Sequence, residues 1–341
     1  MNPQPIRRSI ILWILTLTLY SCGKWNTDNP MIPVGPTLAV KSSITFPGWV
    51  MAMAVKENLL YVCALPQSPD STTKLFYVVD ASDPSNPAIV GSALEYGQFG
   101  QISYGLALHD SFAYVYTQRE GLVTLDISDP ATPRVAATND TLYAIPAAVS
   151  GSHLFALGYG LCYLSLADPI HPRLEGKSNL DPLYPRDLAP WDETRSVLYD
   201  DRTDQVVIED FSVPSAPKTV AYSPTTTLSG LAVCSGNIFG ITRSSSPAVL
   251  KFSWDGGDSV FQKGKTDLPG GGECLTDAQG RIVVGVKATP DLYVLSTFGA
   301  NSPYVVAEGH IPWLPYSIVA AANRIYVNVG YDIYFVEVNE P

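Results

Sequence analysis

Histidines and carboxylates are the side chains that could act as catalysts or metal ligands, and this sequence scatters them. The four histidines are His109, His153, His171 and His310, and no two have the i, i+4 spacing of a helical metal site. The chain contains no Gly-x-Ser-x-Gly motif, phosphate-binding glycine loop or His-Glu-x-x-His motif. The sequence therefore predicts no catalytic set, no metal site and no cofactor.

Acidic residues collect in short polar stretches, where hairpin turns are predicted. The two acidic groups are Asp200, Asp201 and Asp204 in one stretch and Asp255 and Asp258 in another. Their oxygens could bind calcium weakly. Asp is also a common turn residue, because its side chain bonds the backbone just downstream. We favour the turn role over a calcium site.

One turn recurs along the chain and sets its organisation. Residues 121–133 read Gly-Leu-Val-Thr-Leu-Asp-Ile-Ser-Asp-Pro-Ala-Thr-Pro, and residues 77–87 and 207–217 repeat the pattern. Asp and Ser bond the downstream backbone and Pro removes a donor, so the block ends one strand and directs the next. The recurring Asp80, Asp126 and Asp210 fall in different repeats, so we expect each to cap its own turn.

A second marker, a large apolar residue shortly after a polar turn, gives the period. The aligned positions are Tyr61, Tyr114, Phe155, Leu198, Phe239, Val283 and Tyr326. Their spacings are 53, 41, 43, 41, 44 and 43 residues, and a polar insertion at residues 66–74 accounts for the long first step. Seven units of this length, each with room for four short strands, predict an all-β, seven-bladed β-propeller. Six or eight blades remain alternatives.

The second repeat shows the strand order most clearly. Its strands are predicted at residues 104–108, 112–117, 122–126 and 134–138. The last repeat ends before its fourth strand, and residues 38–45 have the apolar pattern to supply it. Pairing of an N-terminal strand with the C-terminal blade would close the ring and cover an open sheet edge.

Four cysteines lie within the repeats, namely Cys63, Cys162, Cys234 and Cys274. Cys234 and Cys274 fall in the first strands of adjacent repeats, so a disulfide between them is one hypothesis. The alternative is that these cysteines are buried free thiols, which act as small apolar side chains.

The N-terminus has the features of a bacterial lipoprotein signal peptide. Arg7 and Arg8 precede an apolar run at residues 10–19, which is too short to span a bilayer but suits a signal peptide. Leu-Tyr-Ser-Cys follows and ends at Cys22, the predicted lipidation site. We predict a signal peptide at residues 1–21, a lipidated Cys22 and tether at 22–36, and a propeller domain at 37–341. An ordinary cleaved signal is the alternative.

Composition narrows the function classes. The net charge of -11 makes nucleic acid an unsuitable partner, because phosphate binding needs a basic surface. A hydrophobic content of 46% with only 16% charged residues is ample for a large buried core and argues against disorder.

The turn blocks at residues 77–87 and 121–133 resemble the LVIVD repeat family, whose members are propeller repeats of secreted or cell-surface proteins. The resemblance is good in the first two repeats, partial in the next two and faint in the others. It implies a propeller fold and a location in the cell envelope. It carries over no catalytic residues, because the motif that the family shares is a turn.

Propellers usually bind ligands at the mouth of the central channel, near the start of the first strand of each blade. The residues predicted there are Trp49, Tyr104, Arg186, Asp187, Glu273, Trp313 and Tyr316. Aromatic side chains with a few charges would suit a sugar or a peptide loop. They would equally suit a filled, merely packed axis.

These observations predict a non-catalytic lipoprotein on the outer membrane or cell surface of a Gram-negative-type bacterium. It would bind a protein or glycan partner and attach to the membrane through its lipid. The alternatives are a polysaccharide lyase or hydrolase with its site in the central channel, and a structural subunit of an envelope complex.

Overall fold

Seven four-stranded antiparallel sheets form the fold, one for each repeat of the sequence. The computed structural model describes residues 36–68, 70–180, 188–244, 247–269, 272–278, 280–286, 291–297 and 302–340. One compact unit, Thr37–Asn339, contains all seven sheets. The sheets are the blades of a β-propeller, which confirms the predicted fold class and excludes six or eight blades.

The closing strand β1 (Thr37–Thr45) comes before the first blade. Blade 1 contains β2 (Gly48–Lys56), β3 (Leu59–Pro66), β4 (Lys74–Asp80) and β5 (Ala88–Glu95), and the short helix α1 (Tyr96–Phe99) follows it. Blade 2 contains β6 (Ile102–His109), β7 (Phe112–Thr117), β8 (Gly121–Asp126) and β9 (Arg134–Asn139). Blade 3 contains β10 (Ile145–Ser150), β11 (His153–Gly158), β12 (Gly160–Ser165) and β13 (Arg173–Lys177).

Blade 4 contains β14 (Leu188–Pro190), β15 (Arg195–Asp200), β16 (Gln205–Asp210) and β17 (Lys218–Pro224). Blade 5 contains β18 (Leu228–Cys234), β19 (Asn237–Thr242), β20 (Ala248–Trp254) and β21 (Val260–Asp267). Blade 6 contains β22 (Gly272–Ala278), β23 (Arg281–Val286), β24 (Asp291–Ser296) and β25 (Tyr304–His310). Blade 7 contains β26 (Ser317–Ala321), β27 (Arg324–Asn328), β28 (Asp332–Asn339) and, as its fourth strand, β1.

The four strands predicted for the second repeat are β6 to β9, and their ends agree with the prediction to within two residues. The marker residues all lie in the second strand of their blades and are 2% exposed or less. Since successive strands are antiparallel, loops alternate between two faces of the ring. The Asp–Pro turns lie on one of them, here named the turn face. The links between blades lie on the opposite face, named the mouth face.

Clusters of buried apolar side chains join neighbouring blades. Among the described residues there are seven such clusters, one at each seam. At the first seam Phe76 of blade 1 shares a cluster with Val115 of blade 2, and at the last seam Leu60 shares one with Phe335. A single blade cannot bury both of its faces, so the blades are stable only when stacked.

The recurring aspartates cap their own turns, as predicted. The side chains of Asp80, Asp126 and Asp210 accept hydrogen bonds from the backbone N–H two residues downstream, at 2.8, 3.0 and 2.7 Å. Hydrogen bonds from Ser128, together with the guanidinium of Arg134, lower the pKa of Asp126 to about 2. The Asp126 carboxylate therefore stays ionised and holds its turn closed.

The turns of blades 1, 2 and 4 dock on the outer strand of the preceding blade. A Cβ on Gly91 of β5 would overlap the carbonyl oxygen of Pro130, which belongs to the turn of blade 2. Gly176 of β13 lies equally close to the carbonyl of Pro214 in blade 4. At the closing seam, the Ser42 hydroxyl donates a 2.6 Å hydrogen bond to the Pro84 carbonyl. At these seams, a proline carbonyl of one blade thus contacts a small residue on the outer strand of the preceding blade.

The outer strands accept this contact because each of them carries a β-bulge. A register shift occurs at the equivalent place in β1, β5, β9, β13, β17, β21 and β25. The residue that resumes pairing after the bulge is small in every blade. These residues are Ser42, Gly91, Ala137, Gly176, Ala221, Gly264 and Ala307. Bulges also protect exposed sheet edges from pairing with other chains.

The ring closes as the sequence predicts. Strand β1 pairs antiparallel with β28, with Thr37 opposite Asn339 and Thr45 opposite Asp332. The Arg324 side chain of blade 7 crosses the seam and donates hydrogen bonds to the Ala81 carbonyl and, at 2.9 Å, to the Ser82 carbonyl of blade 1. Closure therefore combines strand pairing with polar contacts on the turn face.

Two further features bear on the sequence predictions. In the part of the chain that the structure describes, no helix is long and apolar enough to cross a membrane. Cys63 and Cys162 are buried free thiols, and burial raises the pKa of both. The Cys234 sulfur lies 4.0 Å from the Thr297 hydroxyl. The Cys274 side chain lies outside the described residues, so a Cys234–Cys274 disulfide stays a prediction.

The docking contact predicts a stability loss for Gly91→Ala. The added methyl group would overlap the Pro130 carbonyl, and overpacking of this kind costs about 1–3 kcal/mol. Urea unfolding should show a lower midpoint for this variant. Val90→Ala, at the exposed neighbouring bulge position, is the matched control and should change stability by less than about 0.5 kcal/mol. Equal midpoints for Gly91→Ala and wild type would contradict the docking role.

Ring closure predicts different outcomes for two truncations. Removal of residues 1–36 should leave the monomeric fold intact, because β1 remains paired with β28. Removal of residues 1–45 exposes the edge of β28, so we expect a lower melting temperature and association in solution. Thermal unfolding and light scattering measure both effects. A monomeric, equally stable protein after the longer truncation would argue against closure by β1.

Candidate functional site

A central channel is lined by the inner strand of every blade. Each inner strand pairs with one neighbour, so its second edge faces the axis. The channel contains a cavity of about 590 Å³. Each blade contributes to the lining of this cavity a residue three or four positions before the turn between its first two strands. These residues are Met53, Leu106, Ala147, Leu188, Leu231, Thr276 and Ile318.

Three of the aromatic residues predicted for the channel mouth line this cavity, namely Trp49, Tyr104 and Tyr316. The rings of Trp49 and Tyr316 meet edge to face, with their centroids 4.9 Å apart. Tyr104 lies in the adjacent blade 2 and is 56% exposed. The mouth therefore presents aromatic surface from blades 1, 2 and 7.

Trp49 is also part of the closing seam. Its ring packs edge to face on Tyr331, with a centroid distance of 5.4 Å. Gly330 lies beneath the ring, where a Cβ would come 3.2 Å from the Trp49 ring. The adjacent Val50 N–H donates a 2.7 Å hydrogen bond to the Gly330 carbonyl. Trp49 thus stabilises the contact between blades 1 and 7 in addition to lining the mouth.

The wall below the mouth is mainly apolar. Asn328 is buried there, and its amide is fully engaged in hydrogen bonds. The amide nitrogen donates to the Val50 carbonyl at 3.0 Å and to the Ser317 hydroxyl at 3.1 Å, and the oxygen accepts from the Gly330 N–H at 2.8 Å. This side chain holds the wall in place. Contact with a ligand would come from apolar side chains, aromatic rings and the free backbone edges.

The other residues predicted for the mouth have different positions. Trp313 lies in the link between β25 and β26, is 65% exposed and does not line the cavity. Glu273 is the extra residue at the register shift of β22, the place that Met51 occupies in β2. Its side chain lies outside the described residues. Arg186 and Asp187, together with the proposed lipidation site Cys22, are also outside them.

Histidines and acids pair locally, away from the channel. His171 contacts Asp168 at 3.0 Å, and His310 contacts Asp291 at 2.9 Å. His153 lies 3.7 Å from Glu175 and stacks on Tyr163, with ring centroids 4.4 Å apart. The His171 and His310 pairs lie in different blades. Across the residues that the structure describes, no three His, Cys, Asp or Glu side chains come together as a metal site.

The two acidic turn groups bind their own backbone. Asp200 accepts a hydrogen bond from the Arg202 N–H at 3.1 Å, and Asp255 accepts one from the Gly257 N–H at 3.0 Å. These are the bonds expected of turn-forming aspartates. The structure therefore supports the turn role that the sequence analysis favoured.

Comparisons with known proteins support this description. The fold and its channel define the chain as a seven-bladed β-propeller. Residues 47–94 and 102–141, which form most of the first two blades, match the LVIVD repeat family. The resemblance seen in the turns of these repeats is therefore confirmed. No curated protein matches the chain.

Solved propellers resemble the chain at low sequence identity. BamB from Moraxella catarrhalis is 12% identical with a TM-score of 0.52, and the match covers 88% of this chain and 97% of BamB. PorZ of Porphyromonas gingivalis, a surface component of the type-IX secretion system, is 13% identical with a TM-score of 0.54. That match covers 88% of this chain and 39% of PorZ.

A propeller in the structure of the mitotic checkpoint complex is 12% identical with a TM-score of 0.63. The match covers 93% of this chain and 98% of that one. At these identities the likeness shows the fold alone.

The packing at the mouth predicts a contrast between two substitutions. Trp49→Ala should lower the free energy of unfolding by roughly 2–4 kcal/mol, because the ring packs on Tyr316, Tyr331 and Gly330. Tyr104→Ala, at a mostly exposed position, should cost less than about 1 kcal/mol. Chemical denaturation of both variants measures the difference. Equal losses would show that Trp49 has no special role in the seam.

Proposed function

We propose that this protein is a non-catalytic, lipid-anchored component of the bacterial cell envelope. It binds a protein or glycan partner through the mouth of its channel and the surrounding loops. The observation that carries the proposal is the mouth itself, where Trp49, Tyr104 and Tyr316 surround an open cavity above an apolar wall. Aromatic residues are enriched at binding surfaces because they combine a large contact area with a polar tip.

The chemistry of the described lining supports binding over catalysis. It offers tyrosine and tryptophan rings, apolar side chains and backbone edges, and its one buried amide is already bonded. Acid–base catalysis needs a titratable group within hydrogen-bond reach of the substrate, with a pKa suited to the reaction. The histidine and aspartate pairs of the described blades lie elsewhere, so they favour no such role.

The proposed anchor would direct the mouth away from the membrane. Cys22 is the proposed lipidation site, and the chain enters the propeller at Thr37, opposite Asn339. This end of β1 lies on the turn face. A random-coil chain as long as the proposed tether would have a root-mean-square length of about 21 Å. Lipid attachment through this tether would therefore hold the turn face nearer the membrane and leave the mouth accessible.

One of the similar propellers has a surface connection that agrees with this proposal. PorZ is named a bacterial surface component, and BamB also comes from a bacterium. Both likenesses concern the fold, so the location in the envelope rests mainly on the N-terminal sequence. Two acyl chains would hold the protein firmly in a membrane.

The proposal predicts that a partner depends on the channel mouth. Tagged wild type, Cys22→Ala and Tyr104→Ala would each be recovered from cross-linked, detergent-solubilised native membranes, and the co-purified molecules measured by mass spectrometry. We expect wild type to carry a stoichiometric partner and a lipidated Cys22. Tyr104→Ala should stay in the membrane with at least tenfold less partner. Cys22→Ala should lose the membrane association.

Two outcomes would contradict the proposal. An unmodified Cys22 in a protein that fractionates without membranes would remove the anchor. Release of new sugar ends from a polysaccharide panel, abolished by Tyr104→Ala, would establish the alternative of a polysaccharide-acting enzyme. Tyr222→Ala, an exposed tyrosine on the outer strand β17, serves as the matched surface control.

A further inference from the structure

Three tyrosines form a continuous aromatic ladder on the mouth face, at the seam of blades 2 and 3. Tyr116 lies near the end of β7, Tyr143 in the link between β9 and β10, and Tyr159 in the turn between β11 and β12. The rings of Tyr116 and Tyr143 meet edge to face at 4.9 Å. Those of Tyr143 and Tyr159 stack at 5.2 Å, with an angle of 27° between their planes. None of the three lines the central cavity.

The backbone fixes Tyr159 in this position. It is the single residue between the paired Gly158 and Gly160. Gly160 has a φ of 130°, and a Cβ there would overlap the carbonyl oxygen of Ser178. A Cβ on Gly158 would come 2.5 Å from the carbonyl oxygen of Tyr143. Both glycines are therefore required for the close approach, which presses the Tyr159 turn against the Tyr143 link.

Two of these three rings are exposed to solvent. Tyr159 is 81% exposed and Tyr143 is 42% exposed, whereas Tyr116 is half-buried and supports them from below. The Lys177 ammonium lies 5.6 Å from the centre of the Tyr159 ring. In the described part of the chain Lys177 has no carboxylate partner within ion-pair distance. The surface is thus a pair of stacked, solvent-exposed rings with hydroxyl tips, and one ammonium lies over the Tyr159 ring.

We propose that Tyr143 and Tyr159, supported by Tyr116, form a platform on which the sugar rings of a glycan chain stack. A pyranose ring has an apolar C–H face and a rim of hydroxyl groups. The tyrosine rings match the face, and the phenol hydroxyls and the Lys177 ammonium can bond the rim. Aromatic rings bind flat ring-shaped ligands by stacking at exposed sites, as nucleic-acid bases show.

The size of the platform favours a glycan over a protein. With 81% and 42% of their surfaces free, two tyrosines of roughly 200 Å² each offer roughly 250 Å². A standard protein interface needs about 800 Å² from each partner. The platform supplies about a third of that area. Two sugar rings that stack on it need no larger area than the platform offers. The site lies apart from the channel mouth, so it extends the proposed function without depending on it.

The test uses saturation-transfer NMR with the full chain in detergent micelles. The probes are cellohexaose, chitohexaose and maltohexaose, which differ in linkage and substituents. We expect transfer to the ring protons of at least one hexasaccharide. Tyr159→Ala and Tyr143→Ala should each weaken its binding at least tenfold. Tyr159→Phe should stay within about threefold of wild type, because stacking needs the ring and not the hydroxyl.

Tyr304→Ala is the matched control, since Tyr304 is 53% exposed on the outer strand β25. It should bind as wild type does. Circular dichroism and thermal unfolding would establish that the Tyr159 variants fold. Tyr159→Phe keeps the ring, so it separates loss of stacking from loss of the fold. Unchanged binding in both alanine variants overturns the proposal, as does equal loss in Tyr159→Phe and Tyr159→Ala. Absence of transfer to all three probes at millimolar concentration also overturns it.

The two sites can be told apart in the same experiment. Glycan binding that is lost in Tyr104→Ala and kept in Tyr159→Ala would assign the sugar to the channel mouth. That result overturns the platform and favours the proposed function. Loss in Tyr159→Ala alone supports the platform, whether or not the mouth binds a separate protein partner.

Discussion

The ring depends on the docking of proline-containing turns against the bulged outer strand of the preceding blade. A blade buries its faces only against its neighbours, so each seam must bring two sheets together at a fixed distance. At the outer rim of three seams, a proline carbonyl sets that distance. Gly91 meets Pro130 in this way, and Ser42 bonds the Pro84 carbonyl at the closing seam. The capping aspartates keep each turn in the shape that this contact needs.

The two faces of the molecule have different roles. The turn face carries the repeated turns and the Arg324 contact across the closing seam, so its residues are committed to holding the ring. The mouth face carries links of different lengths and composition, and its aromatic residues vary from blade to blade. Trp49 belongs to both tasks, whereas Tyr104 and Tyr159 are exposed and contribute little to the ring.

Two regularities of the structure are visible in the sequence once the fold is known. The small residue after the outer-strand bulge lies four positions after the proline that ends the turn. The pairs are Pro87 and Gly91, Pro133 and Ala137, Pro172 and Gly176, Pro217 and Ala221, and Pro303 and Ala307. Residues that line the channel follow a similar count, three or four positions before the first hairpin turn. Neither spacing can be assigned a meaning from the sequence, because the partner atom belongs to another blade.

The sequence by itself predicted seven blades, four strands in each and closure by β1. These features follow from local turn chemistry and from a period of about 42 residues between marker positions. Tertiary structure decided which aromatic residues meet. Trp49, Tyr316 and Tyr331 come from opposite ends of the chain. Tyr143 and Tyr159 stack because two glycines allow two loops to approach. Such contacts depend on loop geometry, which no repeat pattern specifies.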